Sequence, residues 1–401
     1  LMLALFMGVA TGAGIVVSQY FGAKDRLALS RAVGTIIICT FWAGLITTVV
    51  GVLISRPLLV LLDTPPEMLE MSVMYLQILF AGIIGCAYYN ILGGILRGLG
   101  DSVSPLIYQL LATGLNIVLD IVFVTSFGMT TDGVALATVL AQSISAVFCY
   151  LRLTHMTEVL DVNRKTLKLD KAIASRTLRL GMPAGLTQAI FSLQAIIVQS
   201  LMNSMGPLVV TTMTAVMRVD GFAMMPNFTF GIAATTFSGQ NLGAKRLDRV
   251  RQGAKDSVLL ALICSSVLTL TILIFGRQLV GVFTGTEEIV TLGARMMRIL
   301  AVGYIAFGVT QALSGVMRGM NETVIPMWVS VISTIIIRLP LAYWFASLSR
   351  SAQWPAGNPD SLYWSLLISW VSACLITAAF YRWGKWRKRA EAYFAPDAKL
   401  G

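Results

Sequence analysis

Long apolar runs, broken by short polar loops rich in glycine and proline, make up most of this chain. The apolar residues do not alternate with polar ones as in a half-buried strand. They fill windows of about 20 residues, the length a helix needs to cross a bilayer core of ~30 Å. Eleven such helices are expected, near residues 1–20, 34–54, 69–92, 105–126, 133–152, 175–201, 210–238, 255–275, 288–316, 326–348 and 361–381. The connections carry turn and breaker residues, as in Asp63-Thr64-Pro65-Pro66, Arg97-Gly98-Leu99-Gly100-Asp101 and Trp354-Pro355-Ala356-Gly357-Asn358-Pro359. The pattern predicts an all-α membrane protein.

Composition supports this reading. Of 401 residues, 56% are hydrophobic and 12% charged, about half the ~25% charge of a soluble domain. The net charge of +11 sits in loops, which points to lipid headgroups and away from nucleic acid. One alternate set of connections (21–33, 93–104, 151–179, 241–255, 317–325 and the chain from Arg382) holds 23 lysines and arginines. The other set (55–68, 127–132, 202–209, 276–287 and 349–360) holds only Arg56, Arg277 and Arg350. The positive-inside rule makes the first set, and the C-terminus, cytoplasmic in the plasma membrane of a prokaryote. The stretch Arg382–Arg389, with Trp383 and Trp386, reads as an aromatic and basic anchor.

An internal repeat organises the chain. Gln19, Gly22, Ala23 and Lys24 recur as Gln240, Gly243, Ala244 and Lys245, each 221 residues on. At the same offset Arg56 recurs as Arg277, Glu67 as Glu288, and Arg97, Gly98 and Pro105 as Arg318, Gly319 and Pro326. Two parallel halves of equal helix count are a transporter plan. The helix at 175–201 opens the second half, and its partner, shifted back by 221, would precede Leu1. A twelve-helix plan with about 11 helices present, the first missing, is therefore expected. The expected divisions are an N-terminal lobe 1–152, a cytoplasmic connector 153–174, a C-terminal lobe 175–383 and a basic tail 384–401.

Polar groups inside apolar helices are expensive and therefore informative. Gln109, Thr113, Asn116 and Asp120 fall at i, i+4, i+7 and i+11, which places them on one helical face. Thr138, on the next helix, lies at the depth of Asp120. Asn116, Asp120 and Thr138 form a candidate oxygen-rich pocket, able to take a proton or a hard cation such as Na⁺. The positions 221 later than Asn116 and Asp120 are Ile337 and Leu341, so the second half lacks this cluster. Gln109, Thr113, Gln188 and Arg338 are candidate cavity-lining residues. Gln188, Ser192 and Gln199 share a sparse polar face. Arg218 and Asp220 are read as structural or gating groups, with substrate binding as the alternative. Arg295 and Arg298 are read as reaching the outer interface or a partner. The five cysteines lie singly in apolar runs, and the one histidine, His155, lies in a loop. No metal site beyond Na⁺ at Asp120, Asn116 and Thr138 is expected. No P-loop, G-x-S-x-G or H-E-x-x-H occurs. The expected protein is not an enzyme, has no cofactor, and draws its energy from an ion gradient.

Ser18-Gln19-Tyr20-Phe21-Gly22-Ala23 and Gly239-Gln240-Asn241-Leu242-Gly243-Ala244 resemble the repeated Q-x-x-G-A segment of the multidrug and toxic compound extrusion (MATE) family. Arg97-Gly98-Leu99-Gly100-Asp101-Ser102 and Arg318-Gly319-Met320-Asn321-Glu322-Thr323 resemble that family's R-G-x-x-[DE]-[ST] loop. The resemblance implies two six-helix lobes and export of cationic, amphipathic small molecules by antiport with H⁺ or Na⁺. It also implies a first-lobe cation site that Asn116, Asp120 and Thr138 match in kind and spacing. The aspartate that this site takes from the first helix is lacking here. One branch of the family carries acidic residues in the second lobe where Phe191 and Phe307 stand in this chain. A monomer acting within the lipid bilayer is expected. The rival readings are a flippase for lipid-linked precursors from the same wider superfamily, a channel, and a truncated membrane protein that does not transport.

Overall fold

In a bilayer every backbone N–H and C=O must be satisfied within the chain, which leaves helices as the economical solution for apolar runs of this length. The computed structural model describes residues 2–163 and 166–384. Among the described residues there is no strand, and nine helices plus two bent helix pairs are long and apolar enough to cross a membrane. These are the eleven segments expected from hydropathy. Arg164 and Lys165 of the connector, and the basic anchor from Lys385 onward, lie outside the described residues.

The chain divides into two compact units, Leu1–Gly185 and Leu186–Gly401. The first contains α1 (Met2–Gly22), α2 (Arg26–Leu61), α3 (Pro66–Ala81), α4 (Ile83–Gly98), α5 (Val103–Thr125), α6 (Thr131–His155) and the opening of α7 (Lys171–Ser204). The second contains the rest of α7, α8 (Pro207–Gly243), α9 (Leu247–Gly281), α10 (Glu287–Ala301) and α11 (Gly303–Gly319). It ends with α12 (Val324–Val331), a π-helical segment Ile332–Arg338, α13 (Leu339–Leu348) and α14 (Asp360–Trp383).

The repeat reappears in the packing. In the first unit α1 packs on α4, α4 on α6, α6 on α5, and α2 on α3. In the second α8 packs on α11, α11 on α14, α14 on the α12–α13 stretch, and α9 on α10. The α3–α4 pair bends by 45° and the α10–α11 pair by 46°. Each unit has its own apolar core, built on Ile36, Ile91, Ile95 and Leu153 in the first and on Val216, Met296, Met297 and Leu300 in the second. Outward faces are apolar too. On α5, Leu106, Ile107, Leu110, Leu111, Ile117, Val118 and Ile121 are exposed at helical spacing, a surface suited to lipid.

The repeated sequence motifs turn out to be helix ends. Lys24 and Lys245 have φ of 56° and 54°, and Gly100 and Asn321 have φ of 94° and 65°. Each is the left-handed residue that ends a helix. At Lys24 the N–H bonds Phe21 O at 3.0 Å, and the Asp25 N–H bonds Tyr20 O at 3.3 Å. At Lys245 the same two bonds run to Leu242 O at 3.0 Å and, from Arg246, to Asn241 O at 2.9 Å. Gly100 and Asn321 repeat the arrangement, with the N–H of the following acid, Asp101 or Glu322, reaching Leu96 O or Met317 O at 2.9 Å. The acid then starts the next helix: Asp101 Oδ1 accepts Ser104 N–H at 3.0 Å, and Glu322 Oε1 accepts Ile325 N–H at 3.2 Å.

The connector docks on α2. Arg26 pairs with Asp161 at 2.9 Å, Thr35 Oγ1 donates to Lys168 O at 3.0 Å, and Asp170 caps α7 by accepting Ala172 N–H at 2.9 Å. The compact units divide beyond this connector, within α7. Gly8 and Gly12 of α1 face Gly181 and Gly185 of α7, and a Cβ on Gly8 or Gly12 would strike α7 backbone. This small-xxx-small pairing lets two membrane helices approach at van der Waals distance and ties the opening of α7 to the first unit.

Candidate functional site

On α5 the exposed apolar stripe leaves an opposite face, and Gln109, Asn116 and Asp120 lie half-buried along it. Thr113 is exposed at the margin of this face, and its hydroxyl donates to the Gln109 carbonyl at 2.9 Å. Asn116 Nδ2 donates to Thr138 Oγ1 of α6 at 3.5 Å, the long end of hydrogen-bonding range, and Thr138 donates to Val134 O at 3.0 Å. Asp120 lies one turn beyond Asn116. Its Oδ1 is buried and has no hydrogen-bond partner among the described residues. The structure thus brings Asn116 and Thr138 together, with Asp120 on the same face and bonded to neither. A carboxylate oxygen without a donor is costly in a dry interior. With an amide and a hydroxyl oxygen nearby, it offers a hard donor set to a proton or a small cation.

The second unit is built differently. The π-helical segment Ile332–Arg338 corresponds, 221 residues on, to the stretch 111–117 of α5. Pro340 follows it. Proline removes one N–H and crowds the carbonyl four residues back, and the wide π turn just before it accommodates that loss. The turn ends on Arg338, which is half-buried and whose Nη1 donates to Gln194 Oε1 at 2.7 Å. Across the unit, Tyr304 of α11 donates its hydroxyl to Asp220 Oδ1 of α8. Asp220 and Arg338 attract each other electrostatically, and Tyr363 of α14 lies near both. Beside them runs an aromatic row: Phe228 to Phe307 at 5.4 Å, Phe307 to Trp370 at 5.0 Å and Trp370 to Tyr304 at 5.6 Å between ring centroids.

Asp220 and Arg338 stand out in the sequence, but their partners do not. Tyr304 lies 84 residues from Asp220, and Gln194 lies 144 residues from Arg338. Gln194 is also off the Gln188, Ser192 and Gln199 face; Gln188 itself is exposed. Arg218 stacks over Phe283 at 5.7 Å, and Arg295 pairs with Asp360. Phe307 belongs to the aromatic row. Among the described residues no group of three or more His, Cys, Asp or Glu is placed to hold a metal ion.

Comparison with known proteins agrees with this architecture. The MatE family model matches residues 1–122 and 183–344. The chain is 29% identical over 378 residues to the probable multidrug resistance protein YoeA of Bacillus subtilis, covering 92% of this chain and 81% of that protein. It is 23% identical over 394 residues to the probable multidrug resistance protein NorM of Thermotoga maritima, covering 96% and 82%. A crystal structure of MATE in complex with MaL6 superposes with a TM-score of 0.88 at 22% identity, covering 98% of this chain and 86% of that one.

Proposed function

The chain belongs to the MatE family of multidrug efflux transporters, and we propose that it works by exchanging an ion at Asp120 for an organic cation. It is a multi-pass membrane protein and not an enzyme. In the proposed cycle, H⁺ or Na⁺ binds at Asp120, with Asn116 and Thr138 supplying neutral oxygens, and the two lobes alternate between inward- and outward-open states. The observation that carries this reading is the buried Oδ1 of Asp120, without a hydrogen-bond partner among the described residues, on the face it shares with Asn116. A carboxylate that serves only the scaffold would be expected to have its hydrogen bonds filled. The loop-charge asymmetry supports a cytoplasmic C-terminus and outward export. The flippase alternative needs uncommitted cationic charge for phosphate. Here Arg338 donates to Gln194 and lies in the field of Asp220, and Arg218 lies over an aromatic ring.

The test is Asp120→Asn, which keeps shape but removes charge and titration. In inside-out vesicles under separate H⁺ and Na⁺ gradients, drug uptake per folded molecule should fall about tenfold or more, the scale of one charge-assisted contact. Asn116→Ala and Thr138→Ala should each cost less. Unchanged transport per folded molecule in Asp120→Asn would end the mechanism. Transport driven by only one gradient would name the ion.

A further inference from the structure

Where the connector meets α2, the first unit carries positive charge that neither its packing nor the proposed cycle uses. Arg31 is exposed and shares one helical face with Trp42, Ile46, Val49 and Leu53. Those four apolar side chains are exposed, a stripe suited to lipid. Arg31 stands five residues before Ile36, where the apolar run opens. That is about 7 Å along the axis, the depth of the headgroup layer. Beside it the connector is pinned. Thr35 Oγ1 donates to Lys168 O at 3.0 Å and accepts the Asp170 N–H at 3.1 Å. Gly34 makes room, since a Cβ there would strike Thr166 O. The pinned segment leaves Lys168 and Lys171 exposed, with Leu169 54% exposed between them. Two nearby acids are engaged elsewhere: Asp161 pairs with Arg26, and Asp170 accepts the Ala172 and Ile173 N–H groups. Among the described residues no ion pair uses Arg31, Lys168 or Lys171.

We propose that Arg31, Lys168 and Lys171 form a site for the phosphate of an anionic phospholipid, with Leu169 set against its acyl chains. The guanidinium and the two ammonium groups lie around one pin, Thr35, within reach of a single headgroup. The exposed leucine between the cations selects the source of the phosphate. A free ion in water gains nothing from an apolar neighbour, whereas a lipid answers charge and apolar surface together. An acidic protein would need a surface clear of the bilayer, and Arg31 shares its face with the lipid stripe. The second unit shows the same frame without the site. The positions 221 later than Gly34 and Thr35 are Lys255 and Asp256. The opening of α9 therefore has neither the room nor the hydroxyl that hold the connector on α2. Gln252 stands in the place of Arg31 and donates to Asp256 at 2.8 Å. The proposal is independent of the efflux reading.

The experiment immobilises the full chain in detergent and titrates it with radiolabelled dioleoyl phosphatidylglycerol. Unlabelled phosphatidylglycerol, dioleoyl phosphatidylcholine and inorganic phosphate serve as competitors. Phosphatidylcholine should compete about tenfold more weakly than phosphatidylglycerol, and inorganic phosphate should not compete. The triple variant Arg31→Gln, Lys168→Gln, Lys171→Gln should weaken binding about tenfold or more, since each basic group near an anionic headgroup is worth about fivefold at most. Leu169→Asn keeps every cation and should weaken binding about threefold. A charge-matched triple on the second unit, Lys245→Gln, Arg249→Gln, Lys255→Gln, should change it less than about twofold. If the first triple does not fold, as judged by size exclusion, Arg31→Gln alone replaces it, with a loss of about threefold or more. Equal losses in the two triples would reduce the site to general surface charge. Competition by inorganic phosphate, or unchanged binding in Leu169→Asn, would show an ion site in place of a lipid site. Unchanged binding in the first triple, or in Arg31→Gln where it stands in, would remove the site altogether. Each of these results overturns the proposal, and none bears on Asp120→Asn transport.

Discussion

In the first unit α5 runs unbroken from Val103 to Thr125 and carries Asn116 and Asp120. In the second, the equivalent stretch is interrupted by a π turn, carries Ile337 and Leu341 at those positions, and presents Arg338 beside them. The helix ends of the two units repeat hydrogen bond for hydrogen bond, while their polar interiors do not. One interior holds a carboxylate with no bonded cation among the described residues. The other holds a carboxylate and a guanidinium with a gap between them. In a dry bundle a lone charge invites a counter-charge from outside, whereas a balanced pair is silent toward simple ions. The difference teaches that the repeat supplies two frames of one shape, and that single residues on one helix decide what each frame attracts.

The helix packing offers the largest break in that symmetry. Gly8 of α1 is buried against α7 backbone, whereas its repeat partner Thr229 of α8 is exposed. Gly8→Val forces two backbones apart where no side chain can give way. It should cost about 3 kcal/mol or more, read as a lower thermal midpoint and lower yield in detergent. Thr229→Val should stay within about 0.5 kcal/mol, the usual range for an exposed site. Similar losses at both positions would show that the close approach of α1 to α7 is not what the glycines serve.

Much of this was legible in the sequence, for a physical reason. Spanning segments are written in local hydropathy, so all eleven could be placed, and the 221-residue offset exposed the repeat. The loop 97–101 could be read as a turn from its glycines, whereas the left-handed Lys24 and Lys245 could not, since lysine does not favour that conformation. The spacing also placed Asn116 and Asp120 on one face, although Thr113 proved exposed at its edge. The partners of Asp220 and Arg338 were not legible. Tyr304 and Gln194 are ordinary residues within their own helices, and their role arises only when distant helices pack. The π turn before Pro340 was hidden too, since proline announces a distortion without saying which one. The bends between α3 and α4 and between α10 and α11 leave no mark in the sequence because apolarity continues across them.

A middle-sized effect separates the two repeated loop acids. Asp101 is part-buried; burial alone pushes its carboxyl up, but the Ser104 N–H and hydroxyl and the Arg152 guanidinium outweigh that and hold it below the usual range. Glu322 accepts only the Ile325 N–H at 3.2 Å among the described residues. Asp101→Asn should cost about 1–2 kcal/mol, with the Arg152 share discounted because that side chain is 45% exposed. Glu322→Gln should cost less. The sign of the pH effect follows from the depressed folded value. The stabilisation is full above the ordinary carboxylate range and is lost as pH falls through the lower, folded value. Thermal midpoints measured on acidification should therefore drop more steeply in the wild-type chain than in Asp101→Asn, and parallel curves would refute the assignment.

The smallest effect tests whether the helix ends are as alike as their hydrogen bonds. Lys24 and Lys245 hold φ of 56° and 54°, a region that costs an L-residue with a Cβ about 1–2 kcal/mol. Glycine adopts it freely but gives up more chain entropy on folding, about 0.5–1 kcal/mol. The balance makes Lys24→Gly and Lys245→Gly each stabilising by about 0.5 kcal/mol. Lysine at these places is thus mildly unfavourable for the cap, and its charge belongs to the basic loops that set orientation. Both substitutions should raise the thermal midpoint by similar small amounts, and together they should add, because they cap separate helices in separate units. A gain at one position with a loss at the other would mean that the surroundings, and not the left-handed turn, set the energy there. The repeat would then be one of sequence and hydrogen-bond pattern without being one of energetics.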